Sequence, residues 1–411
     1  MKQEKIFAGK TLAILSGGGD TPAINSSIEA IRNRASMLGF KVYGVQRGWK
    51  GLLGNGEIVD LTNTPYYGIY GGTALHSSRT NPFPSQKNPE DRTEQILRNI
   101  ERYKLDVLVT IGGDDTNGAA KAMYLKYGIP VIGFPKTIDN DLRTKSMHHY
   151  QGKSYETVLC PGFPSGAMAI KKLSSKLHTS NESHECIMVL EVMGRDAGWL
   201  TGSATFGGAH LALVPEVEMT KERKEFFFEK VKEEYMSSKK RSLLIAVSEG
   251  VRWWNDEKGE LDVVYASPDL DEYGHPKFGG ISGVIASEIS KRTGILARGQ
   301  ISGYIPRSGK CYEYDRRLTS TLADKVTDLL LREDYGKMPV MKDIVPYGEL
   351  EEFHTDAIDM GNIGNFSLPK EYYDPNTFCF TDQYIDFLTN IIGSPYRMEF
   401  NHEFPVVIPQ D

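Results

Sequence analysis

Three short segments collect residues suited to handling phosphate: Ser16-Gly17-Gly18-Gly19-Asp20, Gly112-Gly113-Asp114-Asp115 and Pro135-Lys136-Thr137-Ile138-Asp139-Asn140-Asp141. Each follows an apolar run that reads as a buried strand. Glycines at a strand end let backbone N–H groups approach an anion, and the N-terminus of a following helix favours negative charge. Carboxylates beside such a site would repel phosphate, so a divalent cation between them is the natural complement. The third segment adds a lysine, a hydroxyl and two carboxylates. Phosphoryl transfer uses those parts: a cation for the donor, a metal anchor and a base for a hydroxyl proton. A solvated turn would explain any one segment, because Gly, Pro, Asn and Asp are turn formers. It does not explain why these groups gather at a third strand end. The two glycine turns fit neither a Walker loop nor a dinucleotide fingerprint.

The elements that must position these residues alternate along the chain. Strands are expected at 11–15, 41–45, 106–111, 131–134, 187–192, 211–214 and 243–247. Helices are expected at 22–38, 153–177, 220–236, 280–293 and 315–332. A further helix starts near Asn88, with Asn88 as cap, Pro89 at the first position and Glu90 and Asp91 in the first turn. Its apolar face is Ile96, Leu97, Ile100 and Tyr103. This alternation describes an α/β protein with mainly parallel sheets, whose ligands sit beyond the carboxyl ends of the strands. Residues 251–278 are polar and turn-rich and read as a surface excursion. Beyond about 345, Pro369, Pro375, Pro395, Pro405 and Pro409 point to an irregular extension wrapped on the body.

With 411 residues, 40% hydrophobic and 25% charged, the chain has a globular composition and length for two or three domains. A net charge of -6 argues against a general nucleic-acid binder. No run long and apolar enough to enter a membrane is present, nor an apolar leader, so a cytoplasmic protein is expected. Cys160, Cys186, Cys311 and Cys379 are scattered and read as free thiols.

The chain resembles the phosphofructokinase family from about residue 10 to 335. The matching segments come in the family's order: Gly17 to Pro22, Gly71-Gly72-Thr73 through Arg79, Gly112 to Asp115, Thr137 to Asp141, Glu191-Val192-Met193-Gly194-Arg195, Glu249-Gly250, and Arg298 through Gly303-Tyr304-Ile305-Pro306-Arg307, followed by Asp315-Arg316. The resemblance implies two doubly wound domains. One comprises 1–149 plus about 309–345 and binds the donor. The other, 150–308, binds the sugar phosphate, and 346–411 form the extension. It further implies that Asp139 takes the proton of the sugar's 1-hydroxyl, that Asp114 holds Mg2+, and that Gly18 and Arg79 contact the donor phosphates. Thr137, Asp141 and Arg195 would surround the transferring group. Met193, Gly194, Glu249, Arg298, Tyr304 and Arg307 would line the sugar pocket with Thr137, Asp139 and Arg195. Charge stabilisation would come from Mg2+, Lys136 and Arg195.

Asp115 and Lys136 bear on the donor. ATP-using members resemble one another in having glycine at the place of Asp115 and usually at that of Lys136. A carboxylate at 115 repels the α-phosphate of ATP by several kcal/mol at about 4 Å and an effective dielectric of about 20. Both residues are those of the pyrophosphate-dependent branch, so transfer from pyrophosphate to fructose 6-phosphate is expected. The alternatives are ATP as donor, sedoheptulose 7-phosphate as acceptor, or a non-catalytic regulatory subunit. Glu29 and Asn33 replace the effector-binding arginines of regulated members, which implies an unregulated enzyme. The resemblance also places the site near a subunit interface, so a homodimer or homotetramer is expected.

The family's arginine seven residues before the methionine of Met-Gly-Arg, which reaches into a neighbouring subunit's site, is Cys186 here. Cysteine cannot replace a bidentate cation. His184, Lys176 and Lys172 are nearby alternatives. His148-His149 reads as ordinary loop rather than a metal pair. Lys239-Lys240-Arg241 reads as a solvated turn, Trp253-Trp254 as packing or a subunit contact, and the Tyr66 to Tyr70 cluster as packing.

Overall fold

The structure is a computed structural model that describes residues 6–65, 68–85, 88–144, 146–267, 277–349 and 352–396. Tyr66 and Tyr67, and 268–276 of the polar excursion, lie outside the described residues.

A seven-stranded sheet is built from β1 (Thr11–Ser16), β2 (Lys41–Val45), β3 (Ile58–Asp60), β4 (Val107–Gly112), β5 (Val131–Pro135), β16 (Lys337–Met341) and β17 (Thr355–Asp359). The order is β17-β16-β5-β4-β1-β2-β3, parallel except for the two edge strands. Every residue of β1, β4 and β5 is buried, as expected of strands covered on both faces. Helices α1 (Ile24–Leu38), α2 (Thr93–Arg102), α3 (Asp114–Tyr127) and α8 (Glu313–Leu331) accompany this sheet. The strand order reverses between β1 and β4, the switch point where doubly wound sheets open a crevice.

A four-stranded parallel sheet has the order β15-β8-β10-β9, from β8 (Ile187–Val192), β9 (Leu211–Leu213), β10 (Leu243–Ser248) and β15 (Ala297–Ile301). It is packed by α4 (Phe163–Ser183), α5 (Trp199–Gly202), α6 (Lys221–Ser237) and α7 (Ile281–Thr293). The described part of the polar excursion forms two small hairpins, β11 (Trp253–Asn255) with β12 (Glu260–Asp262) and β13 (Tyr265–Ser267) with β14 (Lys277–Phe278).

Three expectations are corrected. The helix expected from 153 begins only at Phe163, because residues before it form the hairpin β6 (Ser146–Tyr150) with β7 (Lys153–Thr157). His148 therefore lies on a strand rather than in a loop, where it is buried with Nδ1 2.8 Å from the Tyr372 hydroxyl. The helix expected from Asn88 starts at Thr93. Asn88 makes a local turn with Glu90, and it is Asp91 that accepts from the Thr93 N–H at 3.0 Å. The described part of the extension adds β17 to the large sheet and a helix, α9 (Asp382–Ile392), that buries one face; Pro405 and Pro409 lie outside the described residues. Buried Lys171 of α4 fastens that helix by donating to the carbonyls of Ile392, Gly393 and Ser394.

Candidate active site

The turn after β1 turns sharply at Gly18, whose φ of 81° is a conformation that favours glycine. Its N–H donates to the Ser78 carbonyl and its own carbonyl accepts from the Ser77 hydroxyl, so the Gly71 to Arg79 segment is tied to this turn. At the end of β4, Gly112 sits so close to Thr116 that an added Cβ would lie 2.3 Å from the Thr116 Cβ. Asn117 fastens the start of α3 there, bonding the Thr110 hydroxyl at 2.8 Å and the Gly112 carbonyl at 2.7 Å. Asp114 and Asp115 consequently occupy the first turn of α3, where the helix dipole favours acids.

Lys136 directly follows β5 and is 3% exposed. Its ammonium donates to the Gly19 carbonyl at 2.5 Å, so the first and third segments meet. Burial, with Arg307 close by, brings Lys136 down to about 7, while Asp20 and Asp139 oppose that fall. Arg79 is also near enough to add to the depression. The Thr137 hydroxyl accepts from the Asp139 N–H at 3.0 Å and donates to Asp141 at 3.0 Å, which sets the loop carrying both acids. Burial, then the charge of Asp139, pushes Asp141 up from the usual carboxylate range.

From the small sheet, Met193 and Gly194 follow β8 and Glu249 follows β10. The Glu249 N–H is bonded to the Val192 carbonyl at 2.9 Å. Burial, reinforced by Asp139, pushes Glu249 up to about 7. Arg307 reaches Met193 Sδ at 3.1 Å and the Asp20 carbonyl at 3.1 Å, bridging the two sheets' contributions. Arg195 bonds Asp196 at 2.8 Å and lies within the field of Asp139 and Asp115.

Two residues named from the sequence stand apart. Tyr304 is 74% exposed. Arg298 lies on β15, opposite Met188 in the register, and its charge acts on Cys186 at the far end of β8. Arg298 is exposed and pairs near the start of β8, whereas Met193 and Glu249 follow the carboxyl ends of β8 and β10. Cys186 is fully buried, bonded to the Asn181 side chain at 3.1 Å, whereas His184, Lys176 and Lys172 are exposed.

Three residues that sequence reasoning left without a role are structurally prominent. Asp20 faces Lys136 and Arg307, and one of its carboxylate oxygens is buried without a hydrogen-bond partner among the described residues. Asp315, fully buried, accepts from the N–H groups of Gly162 and Ser165 at 2.8 Å each and so caps α4. Glu191 does the same for α7 through Gly280 and Ser282. All three belonged to quoted motifs, but nothing in a sequence says which helix end a distant acid will meet.

The donor set can accommodate Mg2+. Asp139 also has a buried carboxylate oxygen without a partner among the described residues, and Asp114 is exposed at the crevice. Mg2+ in phosphoryl-transfer sites is commonly held by one or two carboxylates plus substrate phosphates, which this set could provide.

A switch-point crevice lined by glycine turns, a buried lysine and paired acids is the kind of site that phosphoryl transfer uses. The family model for phosphofructokinase matches residues 11–330, and the chain belongs to that family. It is 34% identical over 337 residues to the pyrophosphate–fructose 6-phosphate 1-phosphotransferase of Streptomyces coelicolor, covering 80% of this chain and 90% of that protein. It is also 34% identical over 369 residues to the ATP-dependent 6-phosphofructokinase 2 of Clostridium perfringens, covering 85% and 94%. In fold it is similar to the crystal structure of pyrophosphate-dependent phosphofructokinase from Marinobacter aquaeolei, with a TM-score of 0.74, 21% identity and coverage of 97% and 95%.

Proposed function

We infer that this chain transfers a phosphoryl group reversibly from pyrophosphate to the 1-hydroxyl of fructose 6-phosphate, giving fructose 1,6-bisphosphate and phosphate. The observation that carries the donor assignment is the buried Lys136 ammonium lodged beside the Gly18–Gly19 turn, with Asp115 at the start of α3. A cation there meets the phosphate that leaves pyrophosphate, and a carboxylate at 115 opposes the longer polyphosphate of ATP.

Asp139 accepts the proton of the 1-hydroxyl as that oxygen bonds to the terminal phosphorus and the bridging P–O bond breaks. The bond-breaking electron pair goes to the departing phosphate, next to Lys136. Gly18 and Arg79 hold the donor, while Thr137, Asp141 and Arg195 surround the transferring group. Because the transition state is loose, alignment and charge stabilisation contribute more than strong basicity at Asp139. Mg2+ held at Asp114 would neutralise charge on the donor oxygens. Met193, Gly194, Glu249, Tyr304 and Arg307 form the sugar side, with Arg298 delivered by a second copy. In support, Arg298 lies on an exposed edge strand with Ile301, 51% exposed. The proposed unit is a cytoplasmic homodimer or homotetramer, and its two-domain division follows the two sheets.

The test is an assay with Mg2+ and fructose 6-phosphate that compares pyrophosphate with ATP. Turnover with pyrophosphate and little with ATP is expected; efficient ATP use would sink the donor assignment. The ATP-dependent relative of equal identity makes ATP the second reading. Asp115→Gly separates them, since ATP turnover should rise at least tenfold only if Asp115 is what excludes it.

A further inference from the structure

The extension lies outside the 11–330 span matched by the family model, yet one stretch of it touches the loop that carries Asp139. The Phe366 N–H donates to the Asp141 carbonyl at 2.6 Å, and the Arg143 N–H donates to the Gly364 carbonyl at 2.9 Å. Leu142 and Asn365 pair as an antiparallel bridge, and the Arg143 guanidinium lies 6.0 Å from the Phe366 ring centroid. The same stretch also holds the small-sheet side. The Phe366 carbonyl accepts from the Trp199 indole N–H at 3.3 Å. The Leu368 N–H shares a Glu216 oxygen with the Gly198 N–H, at 2.9 and 3.0 Å. Gly198 and Trp199 follow the Met193-Gly194-Arg195 loop after Asp196 and Ala197.

We propose that residues 364–368 form a strap that sets the spacing between the Asp139–Asp141 loop and the Arg195 loop, which makes Phe366 a positioning residue for phosphoryl transfer. Phe366 suits this because its two backbone groups bond opposite sides of the cleft. The N–H holds the loop that carries the base, and the C=O holds the turn after the loop that carries Arg195. Reactions that depend on in-line alignment lose rate steeply with small displacements of this kind, while binding of each substrate changes little. The strap rests on the proposed phosphoryl-transfer role of Asp139, though not on which donor is used.

The test is Phe366→Pro, which removes the N–H, against Phe366→Ala, which retains it, each in the full chain and with whichever donor the wild type uses. Phe366→Pro should lower kcat at least thirtyfold with both KM values within threefold of wild type. Phe366→Ala should lower kcat by no more than about threefold. Equal losses in the two variants, or a folded Phe366→Pro protein with kcat within threefold of wild type, overturn the strap. Should Phe366→Pro fail to fold, Trp199→Phe decides by amide hydrogen exchange, which needs no turnover. Exchange at 137–143 should quicken at least tenfold while β8 stays protected; wild-type exchange at 137–143 overturns the proposal. An altered donor preference in the wild type would change neither exchange result, so the two readings fail separately.

Discussion

At the carboxyl ends of β1, β4 and β5, backbone turns bring their glycines, Lys136 and the paired acids together within one chain. At the ends of β8, β10 and β15 the arrangement is looser. Met193, Gly194 and Glu249 converge, but Arg298 lies on an exposed edge and Tyr304 points into solvent. The first region is fixed by short backbone hydrogen bonds, such as Lys136 N–H to the Gly112 carbonyl at 3.1 Å, and by burial of its lysine. In the second, Arg298 and Tyr304 are exposed, and the proposed function has a second copy finish the site. The contrast is between a centre held by buried backbone turns and a region whose cationic and aromatic side chains are exposed on a single chain.

Mutations should divide along that line. Asp139→Asn should have the largest effect, lowering kcat by about a thousandfold with KM values near wild type, as removal of a general base does. A kcat within tenfold of wild type would break the comparison at its firmer end. Lys136→Met should cost about a hundredfold in kcat/KM for pyrophosphate, the usual scale for losing one preorganised charge donor. Steady-state kinetics with the donor varied would read it.

Arg298→Ala should act on the other parameter, raising the sugar-phosphate KM by about ten- to a hundredfold, the scale of a charged hydrogen bond, with kcat within threefold. Mixing it with Asp139→Asn sharpens the point. If Arg298 serves a neighbouring copy, hybrid oligomers contain sites with both residues intact and should regain turnover at limiting sugar phosphate. No regain would place Arg298 in its own chain's site.

The smallest effect is on pH. Lys136 has its pKa brought down to about 7 by burial, so it is charged below that value and neutral above it. An anion is held by the charged form, and the pyrophosphate KM should therefore rise as pH climbs through 7, by up to about tenfold per unit. Lys136→Arg, charged throughout, should give a flat profile over the same range; a flat wild-type profile would contradict the assignment.

The strand ends were legible in the sequence because glycine, acids and lysine follow uninterrupted apolar runs there. Segments 41–45 and 187–192 matched to the residue. Only the second strand of the hairpin, Lys153–Thr157, reads in the sequence as the start of a helix, because its residues alternate weakly and its pairing partner is the adjacent segment. Asp315 and Glu191 appear in the sequence only as acids in motifs. Their role as caps depends on helices brought to them from 150 and 91 residues away. The placement of Arg298 opposite Met188 was equally illegible, since a sequence says nothing about which end of a neighbouring strand an edge residue will meet.

The pairing of β17 on β16 has a consequence unrelated to catalysis. It covers a margin of the large sheet that would otherwise offer Met338, Val340 and Met341 on a row of unpaired amides. Bare margins of that kind recruit strands from other molecules. A shortened chain ending just after β16 would then be drawn toward filaments and inclusion bodies instead of yielding a smaller catalyst. By covering that margin, the last part of the chain would guard solubility during synthesis and storage.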